Sequence, residues 1–256
     1  NTPRRRGYRP LDFAPLTRLP ELTHLNINVR EFAGPRALDP IGRIASLRAL
    51  DIFEWTYADL SALSNLTQLE HLRIGGRNIP DLNALSRLGN LRVLDVQGNR
   101  ELTDVSGISG LRRLEELNLR WTNVADVSAL YSLGALRYVN LADTRVADIS
   151  PLRGKRRLEV LSLSKSRVVD LSALGACPAL RVLDISQTGI ADITRLSACR
   201  RLEAVNLMGS GVVDLGPLIG LPKLQHIDID PARVDGTQLR RLREAGVTVE
   251  LPMVET

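Results

Sequence analysis

Residues 180–201 read LRVLDISQTGIADITRLSACRR, and the apolar residues Leu180, Leu183, Ile185, Ile190, Ile193, Leu196 and Cys199 fall at positions 1, 4, 6, 11, 14, 17 and 20 of a 22-residue unit. The same lattice restarts at Leu47, Leu69, Leu91, Leu114, Leu136, Leu158, Leu202 and Leu224, in steps of 22 apart from one of 23 after Leu91. A unit this short cannot bury its own apolar edge, so a fixed period predicts stacked coils sharing one elongated core. The alternation of positions 4 and 6 predicts a strand in each coil, with positions 3, 5 and 7 facing away from that core. Ten such strands are expected near residues 23–28, 48–53, 70–75, 92–97, 115–120, 137–142, 159–164, 181–186, 203–208 and 225–230.

Each strand is followed by a turn and then by Asp, a branched or leucine residue, and Ser or Thr, which predicts a short helical or 3-10 segment such as 61–66. The column Asp59, Asp81, Asp104, Asp126, Asp148, Asp170, Asp192 and Asp214 would set like charges in a row. Backbone N–H groups must hold each one, so structural capping is expected rather than a metal or catalytic role. Position 9, with Asn99, Thr122, Thr144, Ser166, Thr188 and Ser210, is expected to satisfy backbone groups in the turn.

The pattern LxxLxLxx(T/N)x(I/V)xD(I/L/V)(S/T)xLxxL resembles the short, internalin-like class of leucine-rich repeats, over roughly residues 22–251. The resemblance implies an α/β solenoid with a curved parallel β-sheet on the concave face and short helical or 3-10 segments on the convex face. Such repeats serve unrelated partners, so the function has to be read from the surface. The organisation expected is an N-terminal leader and cap over 1–21, repeats over 22–230 with a looped insertion at 30–40, and a C-terminal cap over 231–256. In that cap, GTQLRRLREAGVTVEL (236–251) predicts an amphipathic helix stopped by Gly246, then a last strand over 247–251.

Composition narrows the function classes. The net charge of +5 rests on arginine, since the only lysines are Lys155, Lys165 and Lys223. A mild excess of this kind favours acidic partners. There is no apolar run of about 18 residues and no apolar region in the opening NTPRRRGYRP, so a cytoplasmic monomer is expected, with no membrane span. No phosphate-binding glycine loop, zinc spacing or nucleophile motif is present, and neither an enzyme nor a cofactor is expected. His24, His71 and His226 share position 3 of strands 1, 3 and 10, too far apart to form one metal site. Cys177 and Cys199 occupy position 20, where leucine is usual, and read as small buried hydrophobes, with a minor disulfide staple left open. Lys155 occupies position 20 too, and its stem is expected to snorkel to water and leave a local weak point.

Surface chemistry remains. Column 3 places Tyr138, Val160, Val182 and Ala204 in an apolar lane, beside a column 5 rich in Asn, Ser and Asp. Contiguous exposed apolar surface marks contact sites, although valine also fills exposed strand positions through its β preference. Phe53, Arg73, Arg120, Trp121 and Met208 add side chains around that lane, the aromatic and guanidinium groups among them being types enriched at binding hot spots. Trp55 and Tyr57 read as packing in an irregular repeat. Position 2 alternates Arg48, Glu70, Arg92, Glu115, Arg137, Glu159, Arg181 and Glu203, which predicts opposite charges paired along one edge. The pairs Arg112-Arg113, Arg156-Arg157 and Arg200-Arg201, with Arg153, Lys155 and Arg195, outline a basic ridge. The leading expectation is a non-catalytic protein-binding module using the concave face through Phe53, Arg73, Arg120, Trp121, Tyr138, Val160, Val182 and Met208. A second is the ligand-sensing or autoregulatory repeat region of a larger NTPase-coupled immune-type receptor. A third is nucleic-acid binding by the arginine ridge, which lacks interleaved aromatics for base stacking.

Overall fold

A computed structural model describes residues 12–28 and 36–250. Among these residues eleven strands form one parallel sheet in chain order. They are β1 (His24–Asn28), β2 (Ala49–Trp55), β3 (His71–Gly76), β4 (Val93–Asp95), β5 (Glu116–Asn118), β6 (Tyr138–Asn140), β7 (Val160–Ser162), β8 (Val182–Asp184), β9 (Ala204–Asn206), β10 (His226–Asp228) and β11 (Thr248–Glu250). Equivalent positions pair from strand to strand, apart from a shift at Trp55 and Gly76 between β2 and β3, so that Val160 faces Val182 and Leu161 faces Leu183, for example. Reading down a column of the sequence therefore reads across a physical surface.

The lattice positions form the core. In the unit that starts at Leu180, none of Leu180, Leu183, Ile185, Ile190, Ile193, Leu196 and Cys199 is more than 2% exposed. Truncating one such leucine to alanine costs about 2–5 kcal/mol, because the neighbouring coils cannot collapse into the gap. All eight aspartates of the predicted capping column accept a hydrogen bond from the backbone N–H two residues on, at 2.7 to 2.9 Å. Those bonds open the 3-10 segments, among them Ser61–Asn65, Ser128–Ser132 and Thr194–Ala198. For Asp59 and Asp104 the backbone N–H is the largest influence holding the carboxyl below its ordinary pKa. At position 9, Asn99 donates to the Ile74 and Val96 carbonyls, while Thr122, Thr144 and Thr188 donate to the carbonyl three residues back.

In the second repeat and in the fourth to ninth, position 8 adopts a left-handed conformation. Glu54, Trp121, Asp143, Lys165 and Gln187 have φ between 54° and 58°, and Gly98 and Gly209 have φ of 81° and 66° at the same position. Position 8 still serves the ladder, since the N–H groups of Gly98, Trp121, Asp143, Lys165 and Gln187 donate to the position 7 carbonyl of the next repeat at 2.7 to 3.0 Å. Each non-glycine residue there costs about 1–2 kcal/mol of local backbone energy. At Gly76 an added Cβ would lie 2.3 Å from the Trp55 carbonyl oxygen, so only glycine fits beside the register shift between β2 and β3.

Two sequence expectations need correction. The looped insertion is helical at its end, because α1 (Leu38–Ile41) turns Leu38 and Ile41 into the core. Residues 29–35 of that insertion, like the leader over 1–11, lie outside the described residues. Lys155 does not reach water: it is 5% exposed and its Nζ donates to the Tyr131 carbonyl oxygen at 2.9 Å. Burial lowers the pKa of that ammonium, the cost of desolvating a charge.

The ends close as amphipathic elements. A 3-10 turn (Ala14–Arg18) follows buried Phe13 at one end. At the other, α2 (Gly236–Glu244) is capped by Asp235, buries Leu239 and Leu242, and gives way at Gly246 (φ 82°) to β11. Cys177 and Cys199 are buried free thiols, and burial pushes the Cys199 pKa up to about 11.

Candidate protein-recognition site

The sheet face away from the core carries the apolar lane. Tyr138, Val160, Val182 and Ala204 lie in register on β6, β7, β8 and β9. Tyr138, Val160 and Ala204 are half-buried and Val182 is 37% exposed, whereas their strand neighbours Val139, Leu161, Leu183 and Val205 are in the core. Met208 lies half-buried two residues beyond β9, at position 7, with the polar column of position 5 between it and the lane.

The neighbouring polar column is less available than its composition suggests. Asp95, Asn118, Asn140, Asp184 and Asn206 each accept the backbone N–H two residues on, at 2.9 to 3.1 Å. In four of the five the second polar atom is also engaged: Asp95 with Arg73 at 3.2 Å, Asn118 with Gln97, Asn140 with the Tyr138 hydroxyl, and Asp184 with Ser162. The lane is thus an apolar strip beside a self-satisfied polar floor. A partner gains burial there without having to break strong hydrogen bonds to water.

The remaining candidates divide into two groups. Phe53 and Arg73 stand on β2 and β3, and Arg73 is tied to Asp95. Arg120 and Trp121 sit just beyond β5, where the chain turns into its left-handed position. The Arg120 guanidinium lies 4.1 Å from the centre of the indole ring, and the Trp121 Nε1 donates to Asp143 at 3.0 Å. The ring is held from two sides and remains 41% exposed. Beside it a cavity of about 400 Å³ is lined by Gly76, Arg77, Gly98, Arg100 and Trp121. A second, of about 600 Å³, adjoins it through Gly76 and Arg77 and is walled by Phe53, Trp55 and Thr56 among others. Trp55 is fully buried and packs edge-on to Tyr57 at 5.3 Å, the packing role expected of both.

Arg77 and Arg100 were not singled out by their sequence pattern. The signal that could have found them is the glycine at position 8 in two successive repeats, Gly76 and Gly98, immediately before a repeat with tryptophan there. His226, Asp228 and Glu250 were missed as a group because Glu250 lies on β11, outside the repeat lattice. Their ligating atoms lie within 4.8 Å of one another, with His226 Nε2 at 2.9 Å from Asp228 Oδ1 and 3.9 Å from Glu250 Oε2.

The charge alternation at position 2 is built as ion pairs. Arg48–Glu70, Arg92–Glu115, Arg137–Glu159 and Arg181–Glu203 close at 2.6 to 2.9 Å, and Glu70 and Glu159 reach the following arginine at 3.9 and 3.8 Å. Arg181 holds the Glu203 carboxyl below its ordinary pKa. The basic ridge loses Lys155 to the core, and Arg153 and Arg195 instead line a cavity of about 400 Å³ beside the 3-10 segments.

No family model and no curated protein matches the chain. Solved structures do. An internalin, InlF, of Listeria monocytogenes superposes with a TM-score of 0.80 at 26% identity, over 90% of this chain and 66% of its own. A leucine-rich-repeat protein of Leptospira interrogans superposes with a TM-score of 0.81 at 18% identity, over 93% of this chain and 62% of its own. The leucine-rich-repeat ectodomain of a plant membrane receptor kinase from Arabidopsis thaliana, solved in complex with Casparian strip integrity factor 2, gives 0.63 at 20% identity, over 92% of this chain and 33% of its own. The chain therefore spans just under two thirds of the length of the first two and one third of the last. The 22-residue lattice, the eleven-stranded open parallel sheet and these superpositions give the chain the fold of a leucine-rich-repeat solenoid.

Proposed function

We propose that this chain is a non-catalytic recognition module that takes a protein partner across its concave sheet face. The observation that carries the reading is the register of Tyr138, Val160, Val182 and Ala204 over four adjacent strands, an apolar strip with a satisfied polar floor alongside. A sheet whose strands each bury one face in a common core is rigid, so a partner loses little energy to ordering this surface. Phe53, Arg73, Arg120, Trp121 and Met208 extend the contact on either side of the strip. The plant receptor kinase ectodomain, solved with its partner, supports a binding role for this architecture.

The test is capture and identification of a partner with the intact chain, followed by affinity measurement on purified components. Val160→Glu with Val182→Glu should weaken binding at least a hundredfold while leaving the circular dichroism spectrum unchanged. Undiminished affinity in that double variant removes the strip from the interface.

A further inference from the structure

The end of the sheet where position 8 turns away carries a feature that the concave strip does not use. Position 8 of the third and fourth repeats is glycine, Gly76 and Gly98, and in the fifth it is Trp121. A bulky aromatic at φ 58° occupies a backbone state that glycine would take without penalty, as Gly98 does in the preceding repeat at φ 81°. At Gly98 the absent side chain leaves open space beside the cavity of about 400 Å³, which the indole also lines. Indole orientation is fixed by Arg120 over one face and by Asp143 on Nε1, so this aromatic surface is pre-organised rather than merely exposed.

The other side chains lining that cavity are Arg77 and Arg100, both exposed, and no carboxylate among the described residues pairs with either guanidinium. This contrasts with the position 2 arginines, Arg48, Arg92, Arg137 and Arg181, each of which is matched to a glutamate. Other exposed arginines, such as Arg112 and Arg113, likewise have no carboxylate partner among the described residues; what sets Arg77 and Arg100 apart is their place in adjacent repeats over one cavity that a fixed tryptophan also lines.

We propose that this rim trough binds an extended, acidic protein segment, with carboxylates on Arg77 and Arg100 and an apolar or aromatic side chain against Trp121. Alternate residues of an extended segment face the same side about 6–7 Å apart, which two guanidinium groups on flexible stems in neighbouring repeats can meet. The adjoining cavity of about 600 Å³, walled by Phe53, gives the segment room to continue. The rim also carries carboxylates at Glu54, Glu101 and Asp143, so its positive field is confined to a few groups. A peptide bearing two or three carboxylates suits that field, and the unbroken charge of a nucleic-acid backbone does not.

The proposal rests on reading the chain as a protein-recognition module but not on the concave strip. The probe is a Glu–Tyr copolymer, titrated against the intact chain with tryptophan fluorescence as the readout. Trp55 is fully buried, so quenching reports Trp121. Quenching should saturate, weaken with added salt, and require at least tenfold more copolymer in Arg77→Gln with Arg100→Gln. Arg112→Gln with Arg113→Gln removes the same charge elsewhere and should leave the titration unchanged. So should Val160→Glu with Val182→Glu, which separates failure of the strip from failure of the trough. The proposal is overturned if the copolymer gives no quenching, if the two arginine double variants weaken it equally, or if oligo(dT) of matched charge binds more tightly than the copolymer.

Discussion

Replacing Lys155 with leucine should stabilise the protein. The side chain is 5% exposed, sits between the repeats that place Leu133 and Cys177 at the same lattice position, and has its Nζ on the Tyr131 carbonyl oxygen at 2.9 Å. Losing that charge-assisted hydrogen bond costs about 1.5–3 kcal/mol. Removing the ammonium recovers a desolvation penalty of several kcal/mol, and a leucine branch adds about 1 kcal/mol of apolar burial over the lysine stem. The balance is a gain of about 1–3 kcal/mol, equivalent to a rise of about 3–10 °C in Tm for a chain of this size. Urea unfolding followed by circular dichroism measures it, with Lys155→Met as a second uncharged variant. The pH dependence supplies an independent sign. The ammonium pKa is lowered in the fold, so between that value and the unfolded value the unfolded chain binds more protons and stability rises with pH. The gap between wild type and Lys155→Leu should therefore be widest at neutral pH and narrow as pH approaches 10.5. If both uncharged variants are less stable than wild type at pH 7, the Tyr131 hydrogen bond outweighs desolvation and the reasoning fails.

Cys199 moves stability in the opposite sense with pH. Its thiol is pushed from 9.0 to about 11, so its contribution is complete below pH 9 and is lost as pH rises through that window. The loss amounts to roughly 2–3 kcal/mol, and Cys199→Leu should flatten this alkaline limb in unfolding curves measured from pH 8 to 11. Trp121→Gly should change stability by less than about 1 kcal/mol, because relief of the left-handed conformation offsets the lost contacts with Arg120 and Asp143; a loss above about 2 kcal/mol would mean that the ring is a packing element. Glu159 faces Arg137 at 2.9 Å and Arg181 at 3.8 Å on a half-exposed edge. Glu159→Arg should cost about 1 kcal/mol at low salt and less at high salt, and a salt-independent cost would contradict a charge effect. Asp104→Ala should cost about 1 kcal/mol where Asp104→Asn costs little, since either Asx side chain can accept the Ser106 N–H.

The repeat, the strand columns, the buried lattice and the capping aspartates were all legible in the sequence. A solenoid makes these local: each coil meets only its neighbours, so spacing along the chain converts directly into position in space. The pairing of Arg181 with Glu203 could be read from letters 22 apart for the same reason. Other features depend on how a coil closes and on what stands beside it. Position 8 is left-handed in most repeats, from Gly98 through Gly209, where the chain turns out of the sheet, and no periodicity of apolar residues encodes a φ angle. Asn118 and Asp184 look like free polar groups in a column, yet the backbone two residues on claims them. Lys155 looks like a residue that would seek water, but a neighbouring carbonyl lay within its reach inside the core. The unpaired Arg77 and Arg100 became visible only when Gly76, Gly98 and Trp121 were seen to share one cavity. The sequence by itself set which side chains go in and which go out; the tertiary structure alone decided which outward ones are already occupied by the protein's own backbone and which are left for a partner.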